Sequence, residues 1–369
     1  MIEFYKEFQP LTIEEPQWNW FYSFLDRHEL KTMNGKVMDK KRIDNGTTGT
    51  IKYWFEKTYL PIDPLSIDKN LMFNYDETML YVKNNGVVVV RKGSKQGIIE
   101  ECLGSEHITS CVSMSAAGNY TTPFIIVPLK KCPKSLMEYV NSGHIALGGQ
   151  DSGWIDKTLF EKWVDSFIDY VKSTREKLGL QGKKAVLILD GHSSRISSIA
   201  AKKLEENNIL EITLPPHTSH ILQALDVGIF KDFKQYFKKL YRSYANQEFY
   251  YDDGEKLDDT NQKRVKIVLS AIDAFKQSFI LRNITKSFAI SGIYPPSIEE
   301  ACKNQYVRKS DENWLTIKSN KSSNKSIDIG GMLLNSQEMI KKLQEHESKV
   351  AEKNNKKRKS EVNFHKLIN

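Results

Sequence analysis

Three aspartates stand where an acid is least expected. Asp76 falls inside a segment of short apolar runs rich in β-branched residues, Asp190 ends the apolar run Ala185–Leu189, and Asp226 opens a helical pattern beyond the break Pro215-Pro216. A carboxylate in a central strand is costly to desolvate unless a cation accompanies it, and a divalent ion can serve several at once. Mg²⁺ and Mn²⁺ prefer hard oxygen ligands, so aspartates with open positions for phosphate and water suit them better than zinc. In a two-metal site one ion activates a water or 3′ hydroxyl, and the other stabilises the leaving oxygen of an in-line phosphoryl transfer. Thirty-five residues separate Asp190 from Asp226, room for a helix, a strand and a turn that return the chain to the same end. Singly, each acid has a plainer reading: Asp76 and Asp190 as strand-end residues satisfied by backbone N–H groups, and Asp226 as a helix cap.

The elements that would position these acids can be read around them. Segments 71–82, 107–115 and 122–129 each have strand character, and Gly118-Asn119 marks a turn between the last two, so an antiparallel meander is expected. Trp154, Leu159, Phe160, Trp163, Phe167 and Tyr170 recur at helical spacing. Ala185–Leu189 reads as a strand covered on both faces, followed by a helix over 197–207, a strand over 209–214 and a long helix over 225–249. Layering alone gives an α/β protein with a mixed sheet. The order of three strands, helix, strand, helix, strand, helix is also that of the RNase H-like fold, so the expected class is an RNase H-like mixed sheet flanked by helices, with a small helical C-terminal extension.

Composition narrows the partners. The chain has 369 residues, a net charge of +8, 40% hydrophobic and 27% charged residues. A positive field draws polyanions and weakens with salt, which favours nucleic acid about as well as it favours a soluble protein with a basic tail. Cys102, Cys111, Cys132 and Cys302 lie too far apart for a zinc knuckle or a dense disulfide framework, and read as reduced thiols. No apolar stretch approaches the ~20 residues that span a bilayer, and residues 1–15 do not read as a secretory signal, so no membrane role and an intracellular location are expected. After about 307 the composition turns to Lys, Ser and Asn, with an amphipathic stretch over 339–350. Lys356-Lys357-Arg358-Lys359 reads equally as a nuclear localisation signal, a nucleic-acid tail or a disordered end.

Three ordered blocks carry a resemblance. Asn74-Tyr75-Asp76-Glu77-Thr78, then 187–194 (Leu-Ile-Leu-Asp-Gly-His-Ser-Ser), then 214–228 (Leu-Pro-Pro-His-Thr-Ser-His-Ile-Leu-Gln-Ala-Leu-Asp-Val-Gly) resemble the signature blocks of the DDE superfamily endonucleases, in particular the pogo, Tigger and jerky transposases of the Tc1/mariner type. Gly153-Trp154-Ile155, and Asn283-Ile284 with Phe288, Gly292, Ile293 and Pro295, extend the likeness. Trp20, Phe24, Arg27, His28 and Leu30 are similar to the last helix of a centromere-protein-B-type helix-turn-helix. Ala224 stands where the family usually has proline, and Arg195 where it commonly has histidine, a change expected to lie outside the metal shell.

The resemblance implies Asp76, Asp190 and Asp226 as catalytic metal ligands for Mg²⁺ or Mn²⁺, DNA as partner, metal-dependent phosphodiester hydrolysis or strand transfer, and a nuclear location. It admits a homo-oligomer. A catalytically silent, host-adopted DNA-binding protein is the other reading. The expected organisation is a remnant of the helix-turn-helix module over 1–35, a linker over 36–69, the RNase H-like core over 70–250, a helical C-terminal subdomain over 251–306 and a basic, flexible tail over 307–369.

Other residues divide between function and structure. Glu77 faces away from Asp76 along a strand and reads as structural. His192, His217 and His220 read as loop-fixing or DNA-contacting rather than as a zinc site. Lys231, Lys234, Lys238, Lys239 and Arg242 line the helix after Asp226. A solvated face explains such runs most often, but acids close by favour phosphate contacts.

Overall fold

The computed structural model describes residues 18–32, 39–81, 107–150, 152–192, 195, 197–310 and 329–351. Cys102 and the run 356–359 lie outside them. The chain divides into two units, Met1–Asp39 and Lys40–Asn369. Within the first, α1 (Trp18–Arg27) is a helix whose rings pack along its own surface, Trp20 stacking on Phe24 at 5.4 Å.

The second unit begins well before the expected core. Helices α2 (Lys40–Asn45) and α3 (Thr48–Trp54) run into a π-turn, Phe55–Tyr59, and the Thr47 side chain accepts from the Thr50 N–H to start α3. Trp54, Phe55 and Tyr59 are fully buried. The Trp54 ring stacks on Tyr59 at 5.2 Å, its Nε1 donates to the Thr213 carbonyl at 2.9 Å, and the Tyr59 hydroxyl donates to the Ile293 carbonyl at 2.6 Å. The expected linker over 36–69 is therefore corrected: from Lys40 it is part of the domain. Each large side chain buried there contributes about 1.5–3 kcal/mol, which a connector would forgo.

The sheet is built from β1 (Met72–Met79), β2 (Thr109–Ser115) and β3 (Phe124–Ile126). After α4 (Lys134–Asn141) comes β4 (Ala146–Gly148), then α5 (Lys157–Leu178), β5 (Ala185–Leu189), α6 (Ser198–Glu206) and β6 (Ile209–Thr213). Its order is β4-β3-β2-β1-β5-β6. β1, β2 and β3 pair antiparallel, whereas β1 with β5, β5 with β6 and β3 with β4 pair parallel. This is the expected RNase H-like mixed sheet, with β4 added at one edge.

Helix α5 covers one face. The Asp156 side chain accepts from the Leu159 N–H, Gly179 ends the helix in the left-handed region, and the buried stripe includes Leu159, Phe160, Trp163, Phe167 and Val171. Trp163 meets Tyr75 at 4.0 Å and Phe167 meets Phe73 at 5.1 Å, edge to face. Just before α5, Gly153 has φ +65° and lies so close to the His107 carbonyl that a Cβ would overlap it.

Beyond β6 the chain forms α7 (Ser219–Leu222), a second π-turn (Leu225–Ile229), α8 (Phe230–Ser243), α9 (Asp259–Ser278), α10 (Leu281–Ile290) and α11 (Ile298–Cys302). Phe275 of α9 meets Phe233 of α8 at 4.6 Å. One hydrophobic core runs from Ile51 to Ala301, so residues 251–306 share it and do not form a subdomain of their own.

Part of the expected tail also belongs to the domain. Residues 329–335 lie along β6: the Thr213 N–H donates to the Met332 carbonyl at 2.9 Å and the Leu334 N–H to the Glu211 carbonyl at 2.8 Å. Helix α12 (337–351) follows. On it, Glu347 accepts from the Ser198 N–H at the start of α6 and from Lys157 Nζ at 2.7 Å. Leu334, Met339, Ile340 and Leu343 bury a small apolar cluster with Ala201, which holds this stretch down against the entropy of a free chain.

Candidate active site

The parallel pairing of β1 with β5 sets the first two acids side by side. Asn74 pairs with Ile188, and two residues further along each strand direction come Asp76, buried, and Asp190, half-buried. Asp226 arrives from the other side of the helix break. Its turn is tied to the sheet by two fully buried amides, Asn74 and Gln223. Asn74 Nδ2 donates to Gln223 Oε1 at 2.7 Å and to the Ile188 carbonyl at 3.1 Å, and its Oδ1 accepts from the Leu225 N–H at 3.1 Å. Gln223 Nε2 donates to the Tyr75 carbonyl at 2.6 Å. On the far side, Gly228 lets the turn approach α10, where a Cβ would come within 1.9 Å of Ser287 Oγ.

Arg195 occupies the centre of the cluster, 3% exposed. Its Nη1 is paired with Asp190, its Nη2 lies 3.3 Å from Asp76 Oδ1, its Nε lies 2.9 Å from Glu77 Oε1, and its guanidinium sits over the Tyr75 ring at 5.0 Å. This corrects the expectation that position 195 lies outside the acid site, since the side chain touches two of the three aspartates. Glu77, expected to face away from Asp76, reaches the same Arg195 guanidinium and also accepts from the Tyr75 hydroxyl at 3.1 Å.

The charges in the cluster press on one another. Burial pushes the Asp76 carboxyl well above the usual carboxylate range, and the charges of Asp226 and Asp190 add to that while Arg195 opposes it. The Asp226 carboxylate reaches solvent, yet the protein packed round it disfavours the charged form; Lys234 counters this, Asp190 reinforces it, and Arg42 and Arg195 again counter it. For Arg195 burial works against the charge, and Glu77 and Asp190 more than offset it, holding the guanidinium firmly protonated.

Hard carboxylate oxygens that repel one another are a donor set suited to Mg²⁺ or Mn²⁺, so the residues fit such an ion by chemistry. As arranged here Arg195 supplies the positive charge, and among the described residues no three acidic, histidine or cysteine side chains are gathered as a ready metal site.

The expected basic residues lie on α8. Phe230, Phe233 and Phe237 form its buried face, and Lys231, Lys234, Lys238 and Arg242 form an exposed stripe with Lys239 at its margin. Lys234 is the one whose charge bears on Asp226. His217 has φ +62° in the loop after β6, and the His220 ring, on α7, lies 5.7 Å from the Tyr306 ring. Asn74, Gln223, Arg195 and Arg42 are the site residues to which sequence patterns assign no role. The first two sit inside the signature blocks, the only signal they give.

A mixed sheet of this order, flanked by helices, defines an RNase H-like core. Residues 105–288 match the DDE superfamily endonuclease family, and the chain belongs to it; the match takes in Asp190 and Asp226 and begins after Asp76. The chain is 26% identical over 205 residues to the MFS-type transporter clz9 of Cochliobolus lunatus, covering 56% of this chain and 20% of that protein. It is 25% identical over 243 residues to the Jerky protein homolog of Homo sapiens, covering 64% of this chain and 42% of that one. The chain thus spans a fifth to about two-fifths of the length of these relatives. Among solved structures, the Mos1 strand transfer complex superposes with a TM-score of 0.43 at 8% identity, covering 77% of this chain and 69% of that chain. Among the described residues no helix is long and apolar enough to cross a membrane.

Proposed function

We propose that the chain is a transposase-type DNA endonuclease that acts in the nucleus, with Asp76, Asp190 and Asp226 holding Mg²⁺ or Mn²⁺ for phosphodiester hydrolysis or strand transfer. One observation carries the reading: the β1–β5 register and the Asn74–Gln223 amides bring three acids from distant parts of the sequence to one end of the sheet. Bound there, a divalent ion would supply a charge that polarises phosphoryl oxygens and activates the attacking oxygen.

The chain's own residues do the rest. Lys234 and Arg42, whose charges bear on Asp226, draw a phosphodiester toward the acids. The remaining cations of the α8 stripe hold neighbouring phosphates without reading bases. Asp76, whose carboxyl is pushed above the usual range by burial and partly brought back by Arg195, would gain in a bound divalent ion a further charge that stabilises its carboxylate.

The test is nicking of supercoiled DNA with Mg²⁺ or Mn²⁺ by the purified chain and its Asp190→Ala variant, both checked for folding. Cleavage by the parent alone supports the reading, and equal cleavage by both overturns it. A second reading, a catalytically silent DNA-binding protein, is favoured by Arg195, which already satisfies two of the acids. DNA binding by both proteins with cleavage by neither would select it.

A further inference from the structure

We propose that Arg195 is a resident counter-ion that a divalent metal must displace from Asp76 and Asp190, so that loading of the site is gated by this side chain. The inference rests on the metal reading above. It starts from the number of bonds the guanidinium makes: Nη1 to Asp190, Nη2 to Asp76 at 3.3 Å and Nε to Glu77 at 2.9 Å, over the Tyr75 ring at 5.0 Å. Three carboxylates hold one fixed cation, whose charge also bears on Asp226.

Two properties of arginine make this more than a local ion pair. A guanidinium stays protonated under any physiological condition, so its charge cannot be removed by a shift of pH and remains in competition with a dication. Its fork also takes up one oxygen of Asp76 and one of Asp190, so it draws on the same two carboxylates that would hold a divalent ion. An ion entering with Arg195 in place would meet a like charge within contact distance and two carboxylates already engaged. With the guanidinium swung away, the acids would be left mutually repelling and open to an ion. Arginine and metal are therefore alternative cations for one cluster.

The consequence is measurable without any reaction. Mn²⁺ binding to the full chain, read from loss of the free-ion electron paramagnetic resonance signal, is compared among the parent, Arg195→Gln, Arg195→Lys and Asp190→Asn. The expected result is at least tenfold tighter binding by Arg195→Gln, an intermediate gain for Arg195→Lys, whose ammonium keeps the charge but not the fork, and weaker binding by Asp190→Asn. In parallel, metal-free Arg195→Gln should melt below the parent and recover with Mn²⁺, whereas the parent should gain little. Equal affinity in the parent and both Arg195 variants, with Asp190→Asn still weaker, would overturn the gating role and leave the metal site standing. Binding that is absent in all four would overturn the metal reading, and this inference with it. The lysine variant keeps the comparison decisive should the glutamine variant fold poorly.

Discussion

The side-chain amide of Asn74 donates to the side-chain carbonyl of Gln223 at 2.7 Å, both residues being fully buried. The pair joins β1 to the turn that carries Asp226, and each amide spends its remaining capacity on backbone groups of β1, β5 and the turn. Replacing either with Ala leaves buried donors and acceptors unmet, at about 1–3 kcal/mol each. Urea denaturation of the two single variants and the double variant should reveal a coupling of about 0.5–3 kcal/mol; strictly additive losses would mean that the two amides act apart.

Gly228 sits where any Cβ would strike Ser287. Gly228→Ala should cost about 1–3 kcal/mol in stability as α10 is pushed off the turn. Because the Ser287 Cβ and Cα are themselves close, at 2.5 and 2.9 Å, Ser287→Gly should recover part of the loss and Ser287→Ala almost none. Thermal melts of the three proteins would decide it.

Glu211 on β6 is 1% exposed, both its carboxylate oxygens lack a hydrogen-bond partner among the described residues, and burial pushes its pKa from 4.5 up to about 8. The folded chain therefore binds one more proton than the unfolded chain between those values, so stability should fall as pH rises through that window and level off above it. A tenfold difference in proton affinity between the two states corresponds to about 1.4 kcal/mol. Glu211→Gln should flatten the slope of stability against pH from 5 to 8; an unchanged slope would show that Glu211 is not its source.

The stripe on α8 makes a prediction about salt. If Lys231, Lys234, Lys238, Lys239 and Arg242 bind phosphates, neutralising them together should weaken binding to all DNA sequences alike. The slope of log affinity against log salt should become shallower by about 0.9 for each phosphate no longer neutralised. An unchanged slope in fluorescence anisotropy titrations would return the stripe to the status of a solvated face.

What could be read in the sequence follows the range of the forces involved. Strands β5 and β6 and helix α5 announce themselves because apolar periodicity is a local property, and the strand order then places Asp190 next to β1. Residues 40–71 are harder: Asn45-Gly46 has the look of an exposed connector, yet Asn45 is buried, and Trp54 finds its partner in Thr213, far along the chain. The role of Arg195 could not be read at all, because three carboxylates drawn from β1 and the end of β5 meet it only once the sheet exists. The stretch over 329–335 (Ile-Gly-Gly-Met-Leu-Leu-Asn) is short and carries two adjacent glycines, so it does not signal order by itself and acquires it by pairing with a strand already formed.

That last pairing decides how the molecule meets its neighbours. A bare β6 would offer a row of unpaired N–H and C=O groups to any other extended chain. Residues 329–335 occupy the row, through Gly331, Met332 and Leu334, and the opposite rim of the sheet is β4, only three residues long. The fold thus carries its own protection against edge-to-edge polymerisation. A chain cut before residue 329 would keep its acids and the main core but lose the apolar cluster over Ala201, and would present an open template for aggregation.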